Sequence, residues 1–270
     1  MFYMKVRPPA VAGAFYPSDP KELRKLVKKF LSRVKLPKIE SEVKALIVPH
    51  AGLVYSGQTA AYGYAALKDA KKICEKPLNF ILLGPSHRVG FEGMAQDRHK
   101  WWETPLGKAK CYQLPVPSRQ LVNDSRPHMG EHCLEVQLLF LQTLFKKFTI
   151  TPLLTGFDVN SQKLAELLTT SYQLLATSIL IVSSDLSHYH PQDIAERIDQ
   201  KTIQAILDLD TKTLEKEECE ACGKTGILTA VYMAKKLGWK PKLLHYETSG
   251  DVTADFSQVV GYASVGFYAV

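Results

Sequence analysis

Val43-Lys44-Ala45-Leu46-Ile47-Val48-Pro49-His50-Ala51-Gly52 is an apolar run that stops abruptly in a polar turn holding a histidine. The pattern recurs. Phe80 to Leu83 leads into Gly84-Pro85-Ser86-His87, Ile179 to Val182 into Ser183-Ser184-Asp185 with His188 close behind, and Leu243 to Tyr246 into Thr248-Ser249-Gly250-Asp251. Apolar runs of this length, bounded by turn residues and separated by helical patterns, read as strands buried on both faces of a parallel sheet. Ligands of such sheets collect beyond the carboxyl ends of the strands, where the following loops are free to carry chemistry. His50, His87, Asp185, His188 and Asp251 are therefore expected to share one rim of the sheet, although they are scattered over most of the chain.

Helical patterns lie between these runs. Asp19 is an N-cap and Pro20 fits the first turn of a helix in which Leu23, Leu26, Val27, Phe30 and Leu31 form one apolar stripe under a lysine-rich face. Gln58 to Leu67, rich in Ala, Tyr and Gly, suits a helix packed closely on the sheet. The segment after His87, through Trp101 and Pro105-Leu106-Gly107, has no clear period and reads as a functional loop or as strands too short to show one. Leu134, Leu138, Leu141 and Phe145 share one face of a helix opened by Glu131-His132. Ile150 to Leu154 is a strand, Leu164 to Leu175, Ile194 to Leu207 and Thr225 to Lys236 are helices, and Val259 to Val270 reads as a closing strand or hairpin. The alternation predicts an α/β fold with a central, largely parallel sheet flanked by helices. No linker or shift of composition divides residues 1–270, so one domain is expected.

A chain of 270 residues buries roughly three quarters of its unfolded surface and needs no staple. Its apolar stretches fall short of the ~18 residues of a spanning helix, and the N-terminus lacks a signal-like apolar core. The expectation is a cytoplasmic protein without a membrane partner. Five cysteines without framework spacing suit a reducing compartment, with Cys74, Cys111 and Cys133 as small apolar residues. The net charge is +7, yet the lysines are dispersed and no interleaved aromatics or nucleic-acid motif accompany them, so a solvated basic face is expected and no nucleic-acid partner.

Two imidazoles and one carboxylate on a three-sided face suit non-haem iron(II) and leave positions open for oxygen and substrate. His50 and His87, each just after a strand and beside Gly or Pro, are the candidate pair. Asp251 is the candidate third ligand, because it too follows a strand; Glu247, Asp255 and Asp185 are rivals, and an Asx-turn or helix cap is the competing role for Asp251. His188, three residues past Asp185, has the character of a proton carrier beside a carboxylate, or of a loop histidine that caps backbone groups. His132 faces either solvent or the site. Cys219-Glu220-Ala221-Cys222 has redox or zinc spacing but no second pair, and reads as a packed or exposed pair. Gly223-Lys224-Thr225 ends like a phosphate loop, but Glu218 stands where the first glycine belongs. Ser86 and Ser183-Ser184 lack the Gly-x-Ser-x-Gly elbow of a hydrolase nucleophile.

Arg7-Pro8-Pro9-Ala10-Val11-Ala12-Gly13, Val48-Pro49-His50-Ala51-Gly52, Leu83-Gly84-Pro85-Ser86-His87, Glu103-Thr104-Pro105-Leu106-Gly107, Glu131-His132, Ser183-Ser184-Asp185-Leu186-Ser187-His188 and Thr248-Ser249-Gly250-Asp251 occur in one order along nearly the whole chain. In this the chain resembles the Memo family, whose prokaryotic branch is called AmmeMemoRadiSam system protein B. The family is similar in fold to class III extradiol dioxygenases, which bind iron(II) through two histidines and a glutamate. The resemblance implies that His50 and His87 take the histidine places and that His188 matches the acid-base histidine. At the third position, where dioxygenases have glutamate and animal Memo proteins cysteine, this chain offers Asp251. Taken with the strand-end constellation, the expected function is that of a metal-dependent redox enzyme of non-haem iron or copper, its divalent ion Fe(II), with copper or zinc as the other candidates, in which His188, oriented by Asp185 and assisted by His132, moves protons. The same resemblance implies a competing function, a peptide-binding module associated with AmmeMemoRadiSam system protein A and a radical-SAM protein. Apart from the resemblance, the same ligands could support metal-assisted hydrolysis through a metal-bound water.

Overall fold

The computed structural model describes residues 5–37, 41–68, 77–114, 121–174 and 177–270; Cys74 lies outside them. The strands in chain order are β1 (Val6–Arg7), β2 (Val43–Val48), β3 (Leu78–Pro85), β4 (Met94–Gln96), β5 (Trp101–Thr104) and β6 (Gly107–Cys111). β7 (Leu121–Asn123), β8 (Phe148–Thr155), β9 (Ser178–Ser183), β10 (His188–His190), β11 (Lys240–Thr248) and β12 (Val259–Tyr268) follow. The helices are α1 (Pro20–Arg33), α2 (Leu53–Ala65), α3 (Glu135–Leu144), α4 (Ser161–Leu174), α5 (Gln192–Leu207), α6 (Thr211–Glu215), α7 (Lys224–Leu237) and α8 (Ser249–Thr253).

One sheet runs through the molecule in the order β1-β5-β6-β8-β3-β9-β2-β12-β10. Its middle, from β6 to β2, is parallel, and β12 closes it antiparallel to β2. The central strands are buried on both faces, and their side chains alternate between two cores. Leu46, Val48, Phe80, Leu82, Ile179 and Ile181 pack with residues of α1, α2 and α3. Their neighbours Ala45, Ile47, Ile81, Leu83, Leu180 and Val182 pack with residues of α4, α5 and α7. The fold is thus α/β, a large central sheet flanked by helices.

Local signals set most of these elements. Asp19 caps α1, its side chain accepting from the amides of Lys21 and Glu22 at 2.9 and 2.8 Å. α2 lies so close to the sheet that a Cβ on Gly63 would come within 2.5 Å of Val48 Cγ1. Among the described residues no helix is long and apolar enough to cross a membrane.

Two expectations are corrected, the helix starts and the run Leu243 to Tyr246, and the segment read as loop or strands resolves into strands. α2 starts at Leu53, directly after the His50 turn, and α3 starts at Glu135, leaving Glu131 and His132 in the turns before it. The segment after His87 contains β4, β5 and β6, the last two joined by a tight turn with Gly107 at φ 122. The run Leu243 to Tyr246 is not a buried parallel strand: β11 pairs antiparallel with β12 alone among the described strands, and most of it is half-buried.

Candidate metal centre and its cavity

His50 stands two residues past the end of β2, beside the end of β9, because Val48 and Ser183 are paired and the Ser184 amide donates to the Val48 carbonyl at 2.9 Å. The His50 amide donates to Asp185 Oδ1 at 2.7 Å, and its ring Nδ1 lies 2.9 Å from Ser183 Oγ. The Ser183 hydroxyl has a single proton, which it donates to the Cys133 carbonyl at 2.8 Å, and it accepts from Gln137 Nε2 at 2.8 Å. Ser183 Oγ is therefore an acceptor toward His50, so the proton sits on Nδ1 and Nε2 carries a free lone pair. Burial pushes the His50 pKa down to about 4, against the opposing pull of the Asp185 charge. The ring is neutral at pH 7, the form that ligates a metal.

His87 follows β3 and is held by Glu131. Its amide donates to Glu131 Oε2 at 2.6 Å, and its Nδ1 lies 3.0 Å from Oε1. Burial works to raise the Glu131 pKa, but the close approach of the His132 imidazole and the hydrogen bonds from His87 overcome it and hold the carboxyl far below the ordinary carboxylate range. An ionised carboxylate only accepts, so Nδ1 of His87 carries the proton and Nε2 is again free.

His132 completes a triangle of rings. Centroid distances are 5.1 Å from His50 to His87, 5.4 Å from His50 to His132 and 4.8 Å from His87 to His132. One nitrogen from each ring lies within 4.8 Å of the others. His132 Nδ1 is 3.0 Å from Glu131 Oε1 yet out of alignment, a buried nitrogen with no hydrogen-bond partner among the described residues. These three histidines form a group that could hold a metal ion. His87, Glu131 and Cys133 form a second, overlapping group. The first has the freer donors, because the Glu131 oxygens already accept from His87 and from the amides of His132 and Cys133, and the buried Cys133 thiol donates to the Pro85 carbonyl at 3.2 Å.

Cys222 enters the same site from the other side. Its Sγ lies 3.4 Å from His50 Nε2 and accepts from the Asp185 amide at 3.3 Å. Gly223 makes this approach feasible, since a Cβ there would fall 2.6 Å from Ser184 Cβ and 2.7 Å from the Ser183 carbonyl oxygen. The Cys-x-x-Cys spacing, read as a packed or exposed pair, was the available signal: Cys219 is buried, while Cys222 reaches the imidazoles.

Asp251 does not join them. It belongs to a capping box at the start of α8, where its Oδ2 accepts from the Thr248 amide at 2.7 Å and its own amide donates to Thr248 Oγ1 at 3.4 Å. The reason is local: a helix starts there, and the carboxylate closes it. Of the rivals, Glu247 Oε1 accepts from Thr59 at 2.6 Å, and Asp255 accepts from Ser257. Asp185 serves His50, with Oδ2 3.9 Å from His50 Nε2, and among the described hydrogen bonds none joins it to His188. Asp199, unremarked in the sequence, braces that turn instead: its Oδ1 accepts from the Ser187 amide at 2.9 Å and its Oδ2 from Tyr246 at 2.9 Å.

A cavity of about 560 Å³ opens beside the imidazoles, lined by His132, Asp185 and His188 among others. Behind the site lies a second buried hub. Arg7 donates from Nε to the His128 carbonyl at 2.6 Å, reaches the Glu131 carbonyl through a second nitrogen, and pairs with Glu135 at 2.6 Å. Glu135 also accepts from the amides of Ala10 and Val11 and from the Tyr16 hydroxyl. The Arg-Pro-Pro-Ala-Val segment thus anchors the turn that carries Glu131 and His132.

The chain matches the family model of Memo-like proteins over residues 7–266. A MEMO1 family protein of Thermoplasma volcanium is 39% identical over an alignment of 270 residues covering 96% of this chain and 97% of the relative. One from Archaeoglobus fulgidus is 35% identical, covering 97% and 99%, and one from Methanocaldococcus jannaschii 36%, covering 96% and 98%. The chain belongs to the Memo family.

Proposed function

We propose that the protein is a metal-dependent redox enzyme whose ion, Fe(II) or else copper or zinc, is held by His50, His87 and His132, with Cys222 in the place first given to Asp251. The observation that carries this is the triangle of imidazoles, with two Nε2 lone pairs freed by Ser183 and Glu131 and one orphaned nitrogen on His132. Nitrogen donors with a sulfur suit a soft or borderline ion. Iron or copper would supply a Lewis-acidic, redox-capable centre with positions open to substrate, and zinc a Lewis-acidic one alone. The residues do the rest. Glu131 fixes His87, Ser183 fixes His50, Asp185 sets negative charge beside them, and His188 on the cavity wall gives and takes a ring proton. Four described cysteines are free, which supports a reducing, cytoplasmic setting.

The test is element-resolved metal analysis of protein isolated without oxygen. One ion per chain is expected, lost in His50→Ala and His87→Ala. Cobalt-loaded protein should show sulfur-to-metal charge-transfer absorption that Cys222→Ser lacks. Wild-type protein without stoichiometric metal, or full occupancy in both histidine variants, overturns the reading. Oxygen consumption against ester cleavage separates redox chemistry from hydrolysis. A module that binds peptide or system partners without turnover is favoured by the exposed Tyr55 and Tyr189 on the cavity wall, and a stable complex in a pull-down, with no turnover, would select it.

A further inference from the structure

The wall of the cavity is more selective than a metal site requires. Phe15, Tyr55, Tyr189 and Tyr262 line it together with the carboxylates of Asp185 and Asp255. Among the described residues no lysine or arginine does so, although the chain carries 34 of them and a net charge of +7. A cavity shaped for an anionic ligand would present guanidinium or ammonium groups. Beside the His132 and His188 imidazoles this one presents aromatic faces and acid oxygens, the combination that holds an organic cation.

Two further observations point the same way. Tyr189 has a φ of 61, a costly conformation for an aromatic residue, in the middle of β10, and its 70% exposed side chain lines the cavity. Asp255 accepts from the Ser257 amide and hydroxyl through Oδ1 at 3.1 and 2.6 Å, while Oδ2 takes no hydrogen bond among the described residues.

We propose that the cavity takes a ligand bearing a protonated amine or guanidinium, its cation seated against Asp255 and the rings of Tyr189 and Tyr55, with its other end directed at the imidazoles. The position of the reacting end rests on the metal-site reading. The seat of the cation is built from residues that hold no metal.

The test uses the full chain, both stripped with a chelator and loaded with zinc, and three probes of one shape: phenethylamine, phenethyl alcohol and phenylacetate. Binding is read by ligand-observed NMR and by shifts of the tyrosine ring signals. Phenethylamine should bind about tenfold tighter than the alcohol, with phenylacetate weakest, in at least one metal state. Asp255→Asn should remove most of that preference, whereas Asp193→Asn on the exposed face of α5 should leave it intact. Phenylacetate binding as tightly as the amine, no probe binding in either state, or a preference that survives Asp255→Asn overturns the proposal. Metal content, measured on the same samples, reports separately: amine binding without metal uptake sinks the metal reading alone, and metal uptake without amine binding sinks this one alone.

Discussion

Ser183 shows how one hydroxyl decides what an imidazole can do. Because it gives its proton to the Cys133 carbonyl and accepts from Gln137, its remaining lone pair is open to the Nδ1 proton of His50. Gln137 is itself fixed, donating its second amide proton to the Pro49 carbonyl at 3.0 Å and accepting from Tyr64 at 2.9 Å. Partners behind a metal ligand set its tautomer and basicity, and losing one weakens metal affinity by about 10- to 100-fold. Ser183→Ala is therefore expected to weaken metal binding by about that range while the fold survives. Competition with a chelator of known affinity measures the first, and far-UV circular dichroism checks the second. An unchanged affinity would mean that His50 does not depend on this relay. Asp251→Ala provides the contrast at the same scale: loss of the capping box should cost about 1 kcal/mol of stability and leave metal stoichiometry unchanged, read by urea denaturation beside metal analysis.

At the scale of elements, what was legible in the sequence depended on where the information lay. The central strands and the start of α1 are written locally, in uniformly apolar runs and in Asp19-Pro20, and residues within a few positions satisfy them. His50 and His87 could be paired because each follows such a run. Cys222 could not, since its place depends on the length of α7, the end of β9 and the missing side chain of Gly223. Glu131 could not either: the sequence makes it the first residue of a helix, but α3 begins later, which turns the carboxylate toward His87. β11 was misread because Leu243 to Tyr246 looks like a central strand, and edge position is a property of the assembled sheet. β4 and β7, three residues each, are too short to show any period. The hub behind α3 was visible only as a motif. With Arg7 and Glu135 both fully buried, Arg7→Met leaves an unpaired buried carboxylate, an expected loss of roughly 3–5 kcal/mol. Denaturant midpoints would show it, and a loss below about 1 kcal/mol would mean that the amides and Tyr16 around Glu135 suffice.

Across the whole molecule, packing a polar site against a two-faced apolar core has a consequence for acid stability. His50 and His128 are each buried as neutral rings, and burial, the dominant influence on both, pushes their pKa values down to about 4. In the unfolded chain a histidine titrates near 6.5. As pH falls below about 6.5 the unfolded state takes up both protons first, while the folded state refuses them until about pH 4. Stability is thus fully present above the unfolded value, falls through the window from about 6.5 to about 4, and levels off below it with respect to these two groups, each contributing roughly 3 kcal/mol at the limit. Glu131, whose folded pKa is depressed, adds its own loss only as pH drops below its ordinary value near 4.5. Metal-free protein unfolded in urea at pH 7, 6, 5 and 4.5 should therefore begin to lose stability between pH 7 and 6, above the range in which ordinary carboxylates titrate. His128→Gln keeps a donor for the Ala95 carbonyl, which His128 Nε2 meets at 3.0 Å, and removes one of the two titrating rings. Its loss between pH 7 and 4.5 should be about half that of the wild type, and a wild-type profile flat from pH 7 to 5 would show that neither ring is held neutral by the fold.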